Sequence, residues 1–386
     1  MQAQPREIDG SALGNRGGIS VGMTKMSAPV SSAKSAAPLR LEIIDCPDPA
    51  LLEPAWRDLE TRSAPAPFLS WTWIGTLLGL SSARFRLARV WLDGRLVGLA
   101  LLGKDRKLHL NETGDPAIDT VWIEYNGVLT ELGLERDAAA LLLRELFGRQ
   151  AALVVSGVPD YWRDLCAESG LVCRMLRYPQ PAPFMSLTAD PLDIVSRNCR
   201  EQIRRSLRYF EALGPISLER AERPEIALLW YDELEKLHTG YWRGKNLAGS
   251  FITPQFKLFH QRLIAGNLES GAVDLLRLRA GDRNLGYLYN LRHGNLVAAY
   301  QSGLLYGEDP RWRPGLVAHL LAMRQAKAQG AAVYNFLAGE ARYKTSLSSG
   351  SDQLNWLVIC RPSLTQALAD GLREIKRVIA RRPTEG

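Results

Sequence analysis

Gly303-Leu-Leu-Tyr-Gly-Glu-Asp-Pro-Arg-Trp-Arg-Pro-Gly-Leu-Val317 reads as the end of a strand, an irregular loop and the opening of a helix. Apolar alternation through Leu296–Leu304 predicts the strand, and the apolar run from Leu316 to Ala328, closed by Gly330, predicts the helix. Pro314-Gly315 stands at the helix entrance, where the first turn has unpaired backbone N–H groups and the positive end of the dipole. Gly315 lets a ligand approach the backbone closely, and Arg311 and Arg313 add charge, so the stretch is a candidate anion site. A plain proline-opened cap is the competing explanation.

A second chemical stretch follows the next strand, Val333–Leu337. It is Leu337-Ala-Gly-Glu-Ala-Arg-Tyr-Lys344. Glycine, acid, tyrosine and lysine at a strand's end are where α/β proteins place chemistry. Tyr343 can donate a proton to a leaving group, Glu340 can accept one from a nucleophile, and Lys344 can hold a phosphate or carbonyl oxygen. An ordinary helix start with surface charges would carry the same residue types.

Outward from these stretches, the chain states one pattern twice. Phe68 matches Phe251, Arg95-x-x-Gly98 matches Arg283-x-x-Gly286, and Ala151-Ala152 matches Ala331-Ala332, at separations of roughly 180–190 residues. Hairpins turn at Asp93-Gly94 and Gly281-Asp282, and the helical run Asp137–Phe147 precedes the strand Ala151–Val155 as Leu316–Ala328 precedes Val333–Leu337. The expected fold class is α/β, with tandem units that each place a mixed sheet among helices. Where the second unit opens its helix with Pro314-Gly315, the first has Glu135-Arg136-Asp137, acidic where an anion would sit. The first unit is therefore expected to be scaffold.

Four segments are expected: a disordered Ser/Ala/Gly/Pro-rich leader over 1–39, the scaffold unit over 40–184, the binding unit over 185–362, and a basic amphipathic helix and tail over 363–386. Val121–Leu129 is a strand candidate, and Tyr178–Phe184, with Pro179, Pro181 and Pro183, is an expected linker. Asp190-Pro191 starts a helix to Gly214 with Val195, Cys199, Ile203, Leu207 and Phe210 on one stripe and arginines opposite. That basic face is either solvated or turned to an anionic substrate or bilayer.

The 386 residues are 46% hydrophobic and 23% charged, which excludes a wholly disordered chain, and no apolar run is long enough to span a membrane. Five scattered cysteines and five histidines give neither a disulfide framework nor a metal set, so no metal is expected. The net charge of +7 favours anionic ligands, but its arginines are dispersed without a nucleic-acid signature, so no nucleic-acid partner is expected. The cytoplasm is the expected location. The C-terminal helix either docks on its own domain or touches the inner face of the membrane.

Asn198-Cys-Arg-Glu-Gln-Ile-Arg-Arg205, Tyr241-Trp-Arg-Gly244, Arg313-Pro-Gly315 and Tyr334-Asn-Phe-Leu-Ala-Gly-Glu-Ala-Arg-Tyr-Lys344, in that order, resemble the GNAT acyltransferase superfamily. The nearest branch is similar to the double-domain, cellulose-biosynthesis or exopolysaccharide-associated acetyltransferases, related to the Fem-type transferases. The resemblance implies acetyl-CoA or another acyl-CoA as co-substrate, its pyrophosphate held by Arg311, Arg313, Gly315, Leu316 and Val317. It also implies that Tyr343 protonates the departing thiolate. Relatives usually carry an acid where this chain has Asn335, which leaves Glu340 as the candidate base, with Lys344 beside it. Trp242, Arg243, Tyr300, Gln301 and Asn335 would face the acceptor. The implied activity is direct N- or O-acyl transfer to an amino sugar or other saccharide precursor, small or lipid-linked, of the cell envelope. An aminoacyl-tRNA-dependent Fem-like transferase and a non-catalytic component of a polysaccharide-synthesis complex are the alternatives.

Overall fold

A computed structural model describes residues 38–362 except 82, 149–151, 248 and 252. The leader up to 37 and the expected C-terminal helix beyond 362 lie outside the described residues.

The first repeat runs β1 (Arg40–Asp45), α1 (Pro49–Glu60), α2 (Trp71–Leu80), β2 (Arg86–Leu92), β3 (Arg95–Lys104), β4 (Leu108–Leu110), the short β5 (Leu129–Thr130), α3 (Glu135–Leu146), β6 (Ala152–Pro159), α4 (Tyr161–Glu168) and β7 (Val172–Ser186). Two helices, α5 (Pro191–Ile194) and α6 (Arg197–Glu211), connect it to the second. The second runs β8 (Ile216–Arg220), α7 (Pro224–Arg243), α8 (Pro254–Asn267), β9 (Val273–Ala280), β10 (Arg283–His293), β11 (Leu296–Leu304), α9 (Pro314–Ala328), β12 (Val333–Asn335), α10 (Arg342–Ser346) and β13 (Gly350–Cys360). Apart from β5 the order is the same twice. The hairpin signals act as read: Asp93 and Gly94 both take positive φ, as the tight β2–β3 turn requires.

One mixed sheet holds both repeats, in the order β1-β2-β3-β4-β6-β13-β7-β12-β11-β10-β9-β8, with β5 against β3. The centre is an exchange. β13, the last strand of the second repeat, pairs with β6 of the first, and β7 pairs with β12 of the second. The 184/185 division falls inside β7. Within each repeat one parallel pair, β4–β6 or β11–β12, lasts only two or three residues before the strands part.

A shared core on one side of the sheet draws Trp56, Phe68 and Trp73 from the first repeat and Tyr231, Phe256 and Phe259 from the second. Trp73 lies 4.8 Å from both the Phe68 and Phe259 rings, tying the repeats together. Separate cores form around α3 and α4 in the first repeat and around α6 and α9 in the second.

Three sequence expectations are corrected. Tyr178–Phe184 is no linker but part of β7. Pro181 and Pro183 alternate, so their missing N–H groups point away from β13, and their carbonyls accept from Gly339 and Phe336 N–H at 2.9 Å, while Pro179 sits at a register shift. The expected helix from 190 to 214 breaks at Val195, where Ser196 caps α6 by accepting from the Cys199 N–H. Val121–Leu129 is mostly irregular, because Trp122 and Tyr125 take positive φ after a 3-10 turn at Asp119–Val121 and only Leu129 joins a strand.

Candidate active site

The parting of β11 and β12 makes the site. β12 accompanies β11 only from Leu296 to Ala298, so the rest of β11 has β10 alone as a strand neighbour. At the point of parting, Tyr300 is a bulge: Gln301 faces Tyr289 and Ala299 faces Asn290. A cavity of about 910 Å³ fills the gap. Its walls are the starts of α6 and α9, the end of α7, the segment from Leu337 to Ala341 and α10.

Helix α9 enters this cavity without a side-chain cap and with no acidic residue in its first turn. Its counterpart α3 begins with Glu135 and Asp137 in its first turn. Leu316 N–H donates to the Arg313 carbonyl at 3.2 Å, and the remaining N–H groups of the first turn, with Arg313, could hold an anion. A Cβ on Gly315 would stand 3.2 Å from Leu304 Cδ1, so the strand–helix approach is already close. Arg313 is held by donating Nε to the Pro310 carbonyl at 2.8 Å.

Across from α9, the mostly buried Tyr343 stacks on His319 with ring centres 5.2 Å apart and planes 11° apart. Burial, with the neighbouring Tyr306 and Tyr241, raises the Tyr343 hydroxyl above its ordinary range, keeping it protonated at neutral pH. His319 binds the Tyr334 hydroxyl through Nδ1 at 2.9 Å, while its buried Nε2 has no hydrogen-bond partner among the described residues. Burial, then the charge of Lys344, pushes His319 down to about 3, so it is neutral.

Lys344 donates Nζ to the carbonyls of Leu337 at 3.2 Å and Ala338 at 2.8 Å. This fixes the loop in which Leu337 takes φ 61° and Gly339 φ 134°. Burial lowers the Lys344 pKa and the charge of Glu124 opposes that shift.

The wall is completed by residues that the sequence reading did not select, Trp122 and Glu124, both from the first repeat. The first repeat therefore supplies part of the cavity wall. Glu124 is buried, and its Oε2 accepts from Ala338 N–H at 2.6 Å. Burial raises its pKa; Lys344, the Ala338 N–H and Arg177 oppose the rise. His238 also lines the cavity, with Nδ1 on the Ser302 carbonyl at 3.1 Å and Nε2 accepting from Ser250 N–H.

Of the residues read from sequence, Tyr343, Glu340, Lys344, Arg313, Gly315, Leu316, Trp242, Tyr300 and Gln301 line this one cavity. Four do not. Arg311 turns outward to Asp309 and the Tyr209 ring. Val317 is packed in the α9 core, and Arg243 lies off the wall at the end of α7. Asn335 is buried behind the wall, donating to Tyr125 Oη and accepting from Leu337 N–H, both at 2.7 Å. Glu340 is exposed at the rim, whereas the buried acid is Glu124.

Residues 197–345 match the model of the acetyltransferase (GNAT) domain family. This region is a GNAT domain. Most of the chain has the same fold as FemX, with a TM-score of 0.55 at 12% identity, covering 81% of this chain and 96% of that one. It is also similar to L-PGS from Bacillus licheniformis, with a TM-score of 0.51 at 11% identity over 88% and 99% of the two chains. A conserved protein of unknown function from Bacteroides thetaiotaomicron gives 0.54 at 12% identity over 84% and 100%. No curated protein is significantly similar in sequence. The GNAT domain thus includes α6 to α10 and nearly all of the cavity, while Trp122 and Glu124 reach it from outside the matched region.

Proposed function

We propose that the chain transfers an acyl group, acetyl in the simplest case, from an acyl-CoA to an amine or hydroxyl of a saccharide-class acceptor. The observation that carries this reading is the uncapped, acid-free start of α9 opening into the cavity where Tyr343 stands. An acyl-CoA supplies a thioester and a pyrophosphate. The α9 N–H groups at Gly315 and Val317, with Arg313, suit the pyrophosphate's charge, while the Leu316 N–H is turned to the Arg313 carbonyl at 3.2 Å. Leu316 lines the cavity and would bear on the apolar arm of the donor.

Each residue then has a defined task. Backbone N–H groups of β11 beyond its bulge face the gap left by β12 and can polarise the acyl carbonyl. The third N–H of Lys344, not used on Leu337 or Ala338, can join them. Tyr343, kept protonated, gives its proton to the departing sulfur. Cys199 of α6 reaches the cavity wall, but it is buried and burial raises its thiol pKa, which disfavours a thiolate nucleophile, so the acyl group passes directly to the acceptor. Trp242 and Tyr241, with the Tyr306 ring centre 4.4 Å from that of Tyr241 and tilted 31° to it, offer apolar ring surface suited to a sugar.

The saccharide acceptor and a role in exopolysaccharide or envelope synthesis follow the branch that the motifs resemble. Among the described residues no helix is long and apolar enough to cross a membrane. Peripheral membrane contact through the basic segment after 362 belongs to this proposal. Incubation with acetyl-CoA and D-glucosamine should release CoA thiol and yield an acetylated sugar detectable by its mass. Transfer seen only from an aminoacyl-tRNA would replace the donor with that of a Fem-like transferase. No transfer from either donor would favour a non-catalytic role.

A further inference from the structure

The segment from Asp119 to Asn126 belongs to the first repeat, which holds its two ends through Asp119 and Asn126, but its middle is tied to the second. Thr120 Oγ1 meets Thr253 Oγ1 of α8 at 2.9 Å, and the Tyr300 hydroxyl of the β11 bulge donates to the Val121 carbonyl. Tyr125 Oη donates to Asp352 of β13 at 3.0 Å and accepts from Asn335 of β12. Behind the segment there is no slack. A Cβ on Gly157 of β6, itself at φ 62°, would lie 2.5 Å from the Ile123 carbonyl oxygen and 2.8 Å from Glu124 Cα.

Held this way, Trp122 and Tyr125 on either side of Glu124 adopt φ 52° and 49°, and Leu337 on the facing loop adopts 61°. Bulky residues at positive φ are costly, and here three of them flank one contact, the Glu124 carboxylate on the Ala338 N–H. Strain concentrated on both sides of a cavity-lining acid indicates that presenting the acid is what the surrounding packing maintains.

We infer that Glu124 takes the proton from the acceptor's nucleophile, and that Trp122 is the ring platform seating that acceptor beside it. The assignment rests on the acyl-CoA reading of the same cavity. The acceptor's N–H or O–H bond breaks, its electron pair forms the new bond to the acyl carbon, and the proton goes to a Glu124 carboxylate oxygen. The C–S bond breaks, the sulfur leaves with its electron pair and takes the Tyr343 proton. Solvent then reprotonates Tyr343 and deprotonates Glu124. Trp122 lines the cavity yet is 44% exposed, leaving ring surface free for a sugar.

The charged and titratable groups facing Glu124 are Lys344 of α10, Arg177 of β7, Tyr300 of β11 and Tyr125 of its own segment. Burial outweighs the two cations and raises its pKa, so the ionised, proton-accepting form fills as pH rises. Wild-type kcat/KM should therefore climb with pH to a plateau.

The test uses the full chain and follows CoA thiol release from acetyl-CoA, with D-glucosamine or water alone as acceptor, across pH, alongside acetyl-CoA calorimetry. Glu124→Gln keeps an oxygen for the Ala338 N–H but cannot accept a proton. It should lower turnover about 100-fold and remove the acid limb, while binding acetyl-CoA as wild type does. Glu124→Asp should restore part of the rate and the limb. Trp122→Ala should raise KM for the sugar about 10-fold with little change in kcat. Donor binding with Glu124→Gln turnover within about threefold of wild type, or an unmoved acid limb, would overturn the assignment alone. Wild type unable to bind acetyl-CoA would remove the donor reading, and this assignment with it.

Discussion

Tyr343→Phe should bind acetyl-CoA as tightly as wild type and transfer the acyl group about 100- to 10,000-fold more slowly, the range a positioned general acid contributes. The ring is held by its stack on His319 rather than by its hydroxyl, which makes no hydrogen bond to a described residue, so the substitution removes one oxygen and leaves the wall intact. The loss should fall on kcat, because the proton is needed when the sulfur departs and not when the donor binds. Stopped-flow thiol release and calorimetry on the same preparation check both halves. Equal rates in the two proteins would remove Tyr343 from the mechanism.

Lys344→Met should be damaging in two ways. The Leu337 and Ala338 carbonyls lose their ammonium donor, and hydrogen bonds to charged groups are worth about 1.5–3 kcal/mol each. Glu124 also loses the charge that most opposes the effect of its burial, so its carboxyl becomes protonated at higher pH. Urea unfolding should show reduced stability, and turnover near neutral pH should fall at least about 100-fold. A stability loss with turnover unchanged would make Lys344 purely structural.

Where pieces of the cavity wall are local in sequence, the residues were legible. Pro314-Gly315 after Arg313, and Gly339 to Lys344 after an apolar strand, each complete a piece of the cavity within a few positions, and the acidic start of α3 was a readable contrast to α9. The repeat was legible for a similar reason, because turns and helix stops are short-range signals. Glu124 was not legible. Its partner Ala338 lies 214 residues away, and the two meet because β7 and β13 exchange places at the centre of the sheet. An acid inside the apolar run Val121–Leu129 was the available signal, and alternation absorbed it into an expected strand. The prolines of β7 misled in the opposite sense. Proline usually ends a strand, but here Pro179 sits at a register shift, Pro181 and Pro183 turn their missing N–H away from β13, and the carbonyls of those two carry the loop that bears Gly339. Arg311 shows the limit of counting charge: it resembles Arg313 in sequence, and Asp309 two residues away claims it.

Anchoring of the donor at the start of α9 is the feature on which every other proposed role depends. Acetyl-CoA calorimetry with wild type, Arg313→Ala and Gly315→Glu addresses it directly. Saturable binding by wild type is expected. It should weaken about 10-fold or more without the arginine and be lost when a carboxylate occupies the helix start. Wild-type affinity in Gly315→Glu, with the fold intact by circular dichroism, would contradict the claim that the donor is held there.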